Sequence, residues 1–214
     1  MDIIALERHS PPALVEALRR VPLLNQPEIR VYERALITLE MIHPDCLHPT
    51  QNYIWLQELR KVQELRWSLR DWGVDLFRLD GYVTYTVRRA DGSETSYDVY
   101  PPIVEESFEA DGRVALLIND GMHRVYLARL EHLIPQVVYI RGVPKAYPYY
   151  AFPRPEGWQG IDVLADNPDP ARYLKKCHRI RDNKSLYRDF QAVFRNVGRS
   201  RSRLLGGSGP ERSG

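Results

Sequence analysis

The first third of the chain has apolar residues at helical spacing. Leu14, Leu18 and Val21 lie three or four positions apart, and a similar run follows Pro22 and extends to residue 42. A longer run over residues 50–72 places apolar side chains on one face and charged side chains on the other. This periodicity is typical of amphipathic helices. The pattern predicts helix over residues 11–42 and 50–72, so residues 1–73 are expected to form an N-terminal helical segment.

From residue 74 onward the pattern favours strands. Residues 82–87 and 95–100 are rich in β-forming side chains and flank an Asp91-Gly92 turn signal, which predicts a hairpin. The apolar run within residues 113–119 predicts a buried strand. A helix over 122–132 and a strand over 136–141 follow. The fold class predicted for residues 74–165 is α+β, with a small mixed β-sheet.

The last part of the chain divides into three stretches. Aromatic and proline residues alternate over 147–155, which predicts a rigid loop that covers the sheet or a platform for an aromatic ligand. Residues 166–197 predict a basic helical segment that begins near Asp169-Pro170. Residues 198–214 are rich in Gly, Ser and Arg and predict a flexible tail.

The distribution of charge divides the chain into an acidic body and a basic C-terminal part. The 214 residues carry a formal charge of only +2, but residues 172–214 contain 12 Lys and Arg against 3 Asp and Glu, a net charge of +9. The first 171 residues therefore carry −7. Clustered basic residues with interleaved aromatics indicate a nucleic acid or protein partner for the C-terminus. Packing of the basic segment on the acidic body is an equal alternative.

Several classes of protein are disfavoured by simple patterns. The longest apolar runs are far shorter than the ~20 residues that cross a bilayer, so no membrane partner is expected. The acidic N-terminus is unlike a signal peptide, and two distant cysteines do not form a disulfide framework. A cytoplasmic protein with reduced thiols is expected. His43, Cys46 and His48 match no standard zinc spacing, and no metal site built from protein ligands is predicted.

The segment around Asp120 carries the clearest chemical signal. An apolar strand leads into Asp120-Gly121, and a short helix opened by His123-Arg124 follows. A helix N-terminus binds anions because its first N–H groups lack intrahelical acceptors. Arg124, and His123 when protonated, would add charged donors, and Asp120 would hold a divalent cation or accept a proton. The alternative is a helix-capping Asp-Gly turn followed by an exposed first turn.

This strand, turn and helix resemble the signature of the ParB/sulfiredoxin superfamily. The resemblance covers roughly residues 75–142, and its sharp part is residues 120–128. It implies a small mixed sheet that binds ATP, ADP or CTP with Mg²⁺. The nucleotide phosphates would be cradled by Gly121, Met122, His123 and Arg124.

The branches of that superfamily differ at this motif. Sulfiredoxins have a nucleophilic cysteine where this chain has Met122, so sulfiredoxin activity is disfavoured. Free-serine kinases have Asp-Gly-His-His-Arg, from which this chain departs only at Met122. The partition-protein branch has Gly-Glu-Arg-Arg and a DNA-binding helical domain, and no helix-turn-helix pattern stands out after Arg141.

These features lead to a functional expectation with two alternatives. The first is phosphotransfer from a nucleotide to a small hydroxyl-bearing substrate, with Asp120, Glu105 or Glu106 as the catalytic acid or base. For the two glutamates, the alternative is solvated charge at a strand end. A non-enzymatic module that grips the phosphates of a nucleic acid or partner is the second hypothesis, and a metal-dependent nuclease-like hydrolase is the third. Whether the chain is an enzyme stays open at this point.

Overall fold

The computed structural model describes residues 1–166, 168–169 and 173–197. Its core is a mixed four-stranded sheet with the strand order β2-β8-β6-β7. Strands β6 and β7 form an antiparallel hairpin, and β8 returns parallel to β6 after a crossover through helix α3. The bounds of these elements are β2 (Leu36–Met41), β6 (Ile103–Phe108), β7 (Val114–Asp120), α3 (Met122–Leu130) and β8 (Gln136–Arg141).

A second, antiparallel sheet has the order β1-β4-β5. Its hairpin, β4 (Tyr82–Arg88) with β5 (Glu94–Val99), turns at Asp91, whose carboxylate accepts a hydrogen bond from the Ser93 backbone N–H at 2.9 Å. The predicted hairpin is confirmed. Strand β1 (Ile3–His9) pairs with β4 and was not predicted, because this segment has no local partner.

The helix predicted over residues 11–42 is wrong beyond its first part. Helix α1 (Pro11–Arg19) begins after the N-cap Ser10 and ends three residues before Pro22. Turns follow, and then the edge strand β2, which pairs antiparallel with β8. Within β2, Ile37 and Thr38 are β-branched and favour extended backbone. Pairing with a distant strand therefore overrode a helical spacing of apolar residues.

The helix predicted over residues 50–72 begins later than expected, at Leu56. The chain is extended in β3 (Tyr53–Trp55), which pairs parallel with β9 (Asp162–Leu164). Helix α2 (Leu56–Arg70) then begins directly after β3. The helical description of the first 73 residues thus holds only for α1 and α2.

The segment 166–197, which was predicted to be a basic helix, contains no α-helix among its described residues. Residues 173–197 contain two short 3-10 helices, Asn183–Leu186 and Phe190–Ala192. Backbone bridges join Lys176 to Gln51, and His178 to Ala151. These contacts with several elements take the place of helical hydrogen bonds. The predicted flexible tail, 198–214, lies outside the described residues.

The apolar core fills both faces of the four-stranded sheet. One face packs against α1, Tyr32 and Phe190, and the other packs against α3. Helix α2 packs on the three-stranded sheet through Leu69. These layers confirm the α+β fold class. None of the helices among the described residues has the length and apolar character that a bilayer crossing requires.

Candidate functional site

The Asp120 motif lies where β7 passes into α3, as the sequence predicts. Gly121 is the N-cap residue of α3 and has a left-handed backbone with φ of 85°. A Cβ atom at this position would lie 2.9 Å from Pro102 Cβ and 2.8 Å from Arg124 Nη2. Both the positive φ and the close approach of Pro102 favour glycine here.

Arg124 is held inside the fold by Asp120. Its Nη2 donates to Asp120 Oδ2 at 2.8 Å, and its Nη1 donates to the Tyr100 carbonyl. The guanidinium also lies 5.6 Å from the centroid of the Tyr100 ring. The Arg124 side chain is 12% exposed and the Asp120 side chain 33%. The motif therefore keeps a positive charge at the start of α3, with Asp120 as its partner.

The His123 ring accepts a hydrogen bond from the start of α2. The backbone N–H of Trp55 donates to His123 Nε2 over 3.2 Å. This contact assigns the proton of the ring to Nδ1 and corresponds to a neutral imidazole. The expected protonated His123 donor is not the form that this geometry favours. The sequence could not reveal Trp55 as a partner, because the two residues are 68 positions apart.

Met122 packs into the core. Its side chain belongs to the apolar cluster between α3 and the sheet, together with Ile118 and Val125. Any contact of Met122 with a ligand would therefore use its backbone N–H.

Helices α2 and α3 run side by side with their N-termini at the same end. The bond from Trp55 to His123 joins the two starts, and Arg66 on α2 forms an ion pair with Glu131 after α3. Neither N-cap residue, Trp55 or Gly121, makes a side-chain capping hydrogen bond. Two positive dipole ends therefore lie together. The sequence pattern does not indicate this feature, because its apolar periodicity starts several residues before α2.

Glu105 is buried on the sheet face opposite α3. Its carboxylate forms a two-point ion pair with Arg188, in which Nε donates to Oε1 at 3.0 Å and Nη2 donates to Oε2 at 2.8 Å. Tyr32 donates its hydroxyl to Oε1 at 2.5 Å, and Asn119 donates its side-chain N–H. With 1% exposure, Glu105 is not the solvated charge that its sequence position suggested as an alternative. Its catalytic role stays a prediction.

Glu106 points to the other face of the strand. The Tyr139 hydroxyl donates to Glu106 Oε2 at 2.7 Å. Burial and this hydrogen bond raise the pKa of Tyr139 to about 12. Neither glutamate contacts Arg124 or Asp120 in the hydrogen bonds of the described residues, and a role for Glu106 also stays a prediction.

Three basic residues of the C-terminal segment form hydrogen bonds or ion pairs within the fold. Besides Arg188, Arg179 pairs with Glu109 through two bonds of 3.0 and 2.6 Å. Lys176 Nζ donates to the hydroxyls of Tyr149 and Tyr150 at 2.5 and 2.6 Å. The structure therefore supports the alternative in which the basic segment packs on the acidic body. Sequence analysis found the cations but not their partners.

The other candidate features belong to the scaffold. The aromatic stretch buries Tyr149 and Tyr150 against β7, so these rings complete the core as one alternative expected. In the loop before β3, His48 Nδ1 accepts the Leu116 N–H. Among the residues that the structure describes, no group of three or more His, Cys, Asp or Glu side chains is arranged to hold a metal ion. Two shallow depressions, of about 490 Å³ each, contain no residue of the motif.

Comparison with protein families identifies the family of the chain. The family model described as ParB CE domain matches residues 13–162, a range that includes all of α2, β6, β7 and α3. No curated protein and no solved structure matches the chain.

Proposed function

Because the chain belongs to the ParB CE domain family, we propose that it binds the phosphates of a nucleotide where α2 and α3 begin. The observation that carries this proposal is the parallel packing of the two helices, whose N-termini are joined by the hydrogen bond from the Trp55 N–H to His123 Nε2. Parallel dipoles repel one another, and an anion at their shared positive end relieves that repulsion. The expected ligand is therefore anionic.

The residues of the motif have distinct roles under this proposal. Gly121 lets the chain turn beneath the phosphates, and the backbone N–H groups of Met122 and His123 are the donors that face them. Arg124 supplies positive charge, and its position is fixed by Asp120. The His123 ring accepts the hydrogen bond from the Trp55 N–H at the start of α2, so its main effect is to hold the two helices together.

Magnesium fits this site only as a companion of the nucleotide. Mg²⁺ is commonly held by one or two carboxylates together with substrate phosphates. Asp120 is the carboxylate of the motif, and part of its side chain is exposed. The ion would neutralise phosphate charge there, and Asp120 would orient it or an acceptor hydroxyl.

We extend the proposal to phosphotransfer to a small hydroxyl-bearing substrate, with Asp120 as the catalytic carboxylate. The buried ion pair of Glu105 supports a positioning role, since Glu105 binds Asn119, the residue that precedes Asp120. The second candidate is a module that binds a nucleotide without turnover. The ion pair between Arg124 and Asp120 favours this second candidate, because an arginine held in this way moves less readily to a transferring phosphoryl group.

Binding is tested by thermal unfolding with ATP, ADP, CTP and GTP, each with and without Mg²⁺. A ligand that binds only the folded state raises the unfolding midpoint. Arg124→Ala is expected to weaken binding at least about tenfold, which corresponds to one lost charge-assisted contact. The matched control is Arg113→Ala, which removes an exposed arginine from a turn and should leave binding unchanged.

Turnover separates the two candidates. Asp120→Asn should abolish nucleotide-dependent transfer while binding persists if the chain is a phosphotransferase. If the wild-type protein binds a nucleotide but shows no transfer or hydrolysis, the binding module is correct. Absence of binding by all four nucleotides at about 1 mM, a weak affinity near −4 kcal/mol, contradicts the proposal as a whole.

A further inference from the structure

The edges of the two larger sheets differ in how they are protected. An edge strand directs half of its backbone N–H and C=O groups outward, where another strand can pair with them. Within the described part of the chain, the edges of these sheets are β1 and β5 in one sheet and β2 and β7 in the other.

Two of these edges are covered within the fold, and a third is irregular. On β7, His48 donates its N–H to the Leu116 carbonyl at 2.7 Å and accepts a second backbone bond. On β5, Asp98 donates its N–H to the carbonyl of Arg195 at 2.9 Å. On β1, the register shifts between residues 3 and 5. Such coverage and irregularity prevent pairing with other chains.

Strand β2 has neither form of protection. Among the described residues, its only strand partner is β8. Leu36 is 54% exposed and Met41 is 41% exposed, and Glu40 is the single charged residue of the strand. On one face, Ile37 and Leu39 border the depression of about 490 Å³ that separates β2 from α1. A largely apolar edge that no described residue covers marks an interaction site.

We propose that β2 pairs antiparallel with β2 of a second copy of this chain, about a twofold axis at Leu39. In this register Ile37 lies opposite Met41, Leu39 lies opposite Leu39, and Thr38 lies opposite Glu40. Opposed residues of antiparallel strands share a face of the sheet. Apolar side chains therefore meet apolar side chains on the α1 face, and Thr38 meets Glu40 on the other face, which also carries the exposed Leu36.

The charges beside the strand agree with a second copy as the partner. The rim of the depression carries Glu16 and Arg19 on α1. In the proposed dimer the twofold axis reverses the direction of α1, so Glu16 and Arg19 follow one another in opposite directions in the two protomers and opposite charges can be matched across the axis. In the proposed dimer the β2 edge of one protomer pairs with the β2 edge of the other, and the two four-stranded sheets join into one continuous sheet.

Disulfide trapping tests the register. Leu39→Cys is made in a Cys46→Ser, Cys177→Ser background, because both native cysteines are exposed. Directly opposed Cβ atoms lie about 4.5–5.5 Å apart in such a pair, so oxidation should give mainly covalent dimer. The control is Val114→Cys, an exposed apolar position on β7 that should stay monomeric.

Sedimentation equilibrium of the full chain tests the association itself. Met41→Lys should weaken the dimer at least about tenfold, because it places a charge against Ile37. Mixing it with Ile37→Glu should restore association, since the two new charges face each other in the mixed dimer. Circular dichroism confirms that each variant is folded.

Two results would overturn the proposal. One is a wild-type chain that stays monomeric at about 100 μM, above the range of weak specific dimers. The other is a dimer that Met41→Lys does not weaken and that Leu39→Cys does not trap. Both are independent of nucleotide binding.

Discussion

Arg188 illustrates what a buried charge requires of its surroundings. Its five guanidinium hydrogens are matched by two Glu105 oxygens and by backbone carbonyls at residues 147, 148 and 186. Burial alone lowers the pKa of Arg188, but the Glu105 carboxylate more than offsets this effect and the pKa is raised. Arg188 is therefore charged in the fold, and both carboxylate oxygens of Glu105 accept hydrogen bonds from it.

Arg188→Met is expected to destabilise the protein by about 3–5 kcal/mol, because the Glu105 charge stays buried without its partner. Urea unfolding measures the change. The double variant Arg188→Met, Glu105→Gln should recover part of the loss. Arg88→Ala, which removes an exposed pair with Glu94, is the control and should cost less than about 1 kcal/mol. A cost for Arg188→Met as small as that of Arg88→Ala contradicts the prediction.

The local chemistry of the candidate site was readable from sequence, but its partners were not. Asp120-Gly121 after an apolar strand predicted a turn before a helix, because glycine and the strand pattern act locally. The partners of Arg124 and His123 lie 24 and 68 positions away, at Tyr100 and Trp55. Their side chains have no pattern that specifies such a distant contact.

The same distinction holds for whole elements. The β4-β5 hairpin was predicted because it pairs neighbouring segments around a turn. Strand β2 was mistaken for helix because apolar residues at 31, 35, 39 and 42 also fit a helical stripe. Its actual partner, β8, lies about a hundred residues later. Parallel pairing of β3 with β9 is similarly nonlocal.

At the scale of elements, residues 173–197 act as a structural part of the core. Deleting the chain from Tyr173 onward removes the cationic partners of Glu105 and Glu109, Arg188 and Arg179, together. We expect this truncated chain to lose cooperative unfolding and to bind a hydrophobic dye, as loosely packed states do. A chain that ends at Val197 keeps every contact described above and is the control. Equal unfolding midpoints for the two chains would contradict this expectation.

For the whole molecule, the division of charge has a structural use. The basic end docks on the acidic body through pairs such as Arg179 with Glu109. Burial raises the pKa of Glu109, but hydrogen bonds from Arg179 and Ser107 outweigh burial, and the pKa is lowered. The cations that seemed available for a nucleic acid are in part already neutralised.

The response of the whole molecule to alkaline pH follows from its buried phenols. Burial, with a smaller effect of Tyr97, raises the pKa of Tyr85 from 10.0 to about 12. A raised pKa stabilises the fold fully below the unfolded value, and this contribution is lost as pH rises towards the folded value. The free energy of unfolding should therefore fall between pH 10.0 and about 12.

Urea unfolding across this range measures the decline, and Tyr85→Phe should make it shallower because the substituted ring does not titrate. An unchanged slope in Tyr85→Phe would show that Tyr85 contributes nothing to the pH dependence.

The ion pair of Glu105 with Arg188 also sets an order of events during synthesis. The two residues are 83 positions apart, and the glutamate leaves the ribosome first. Until the arginine follows, the carboxylate cannot be buried as an ion without a large desolvation cost. The sheet face around Glu105 therefore stays hydrated until the 83 residues that follow Glu105 have been made. Completion of this face is thus timed by Arg188, and a translation product interrupted before Arg188 would expose the unfinished face to the chaperones and proteases of the cell.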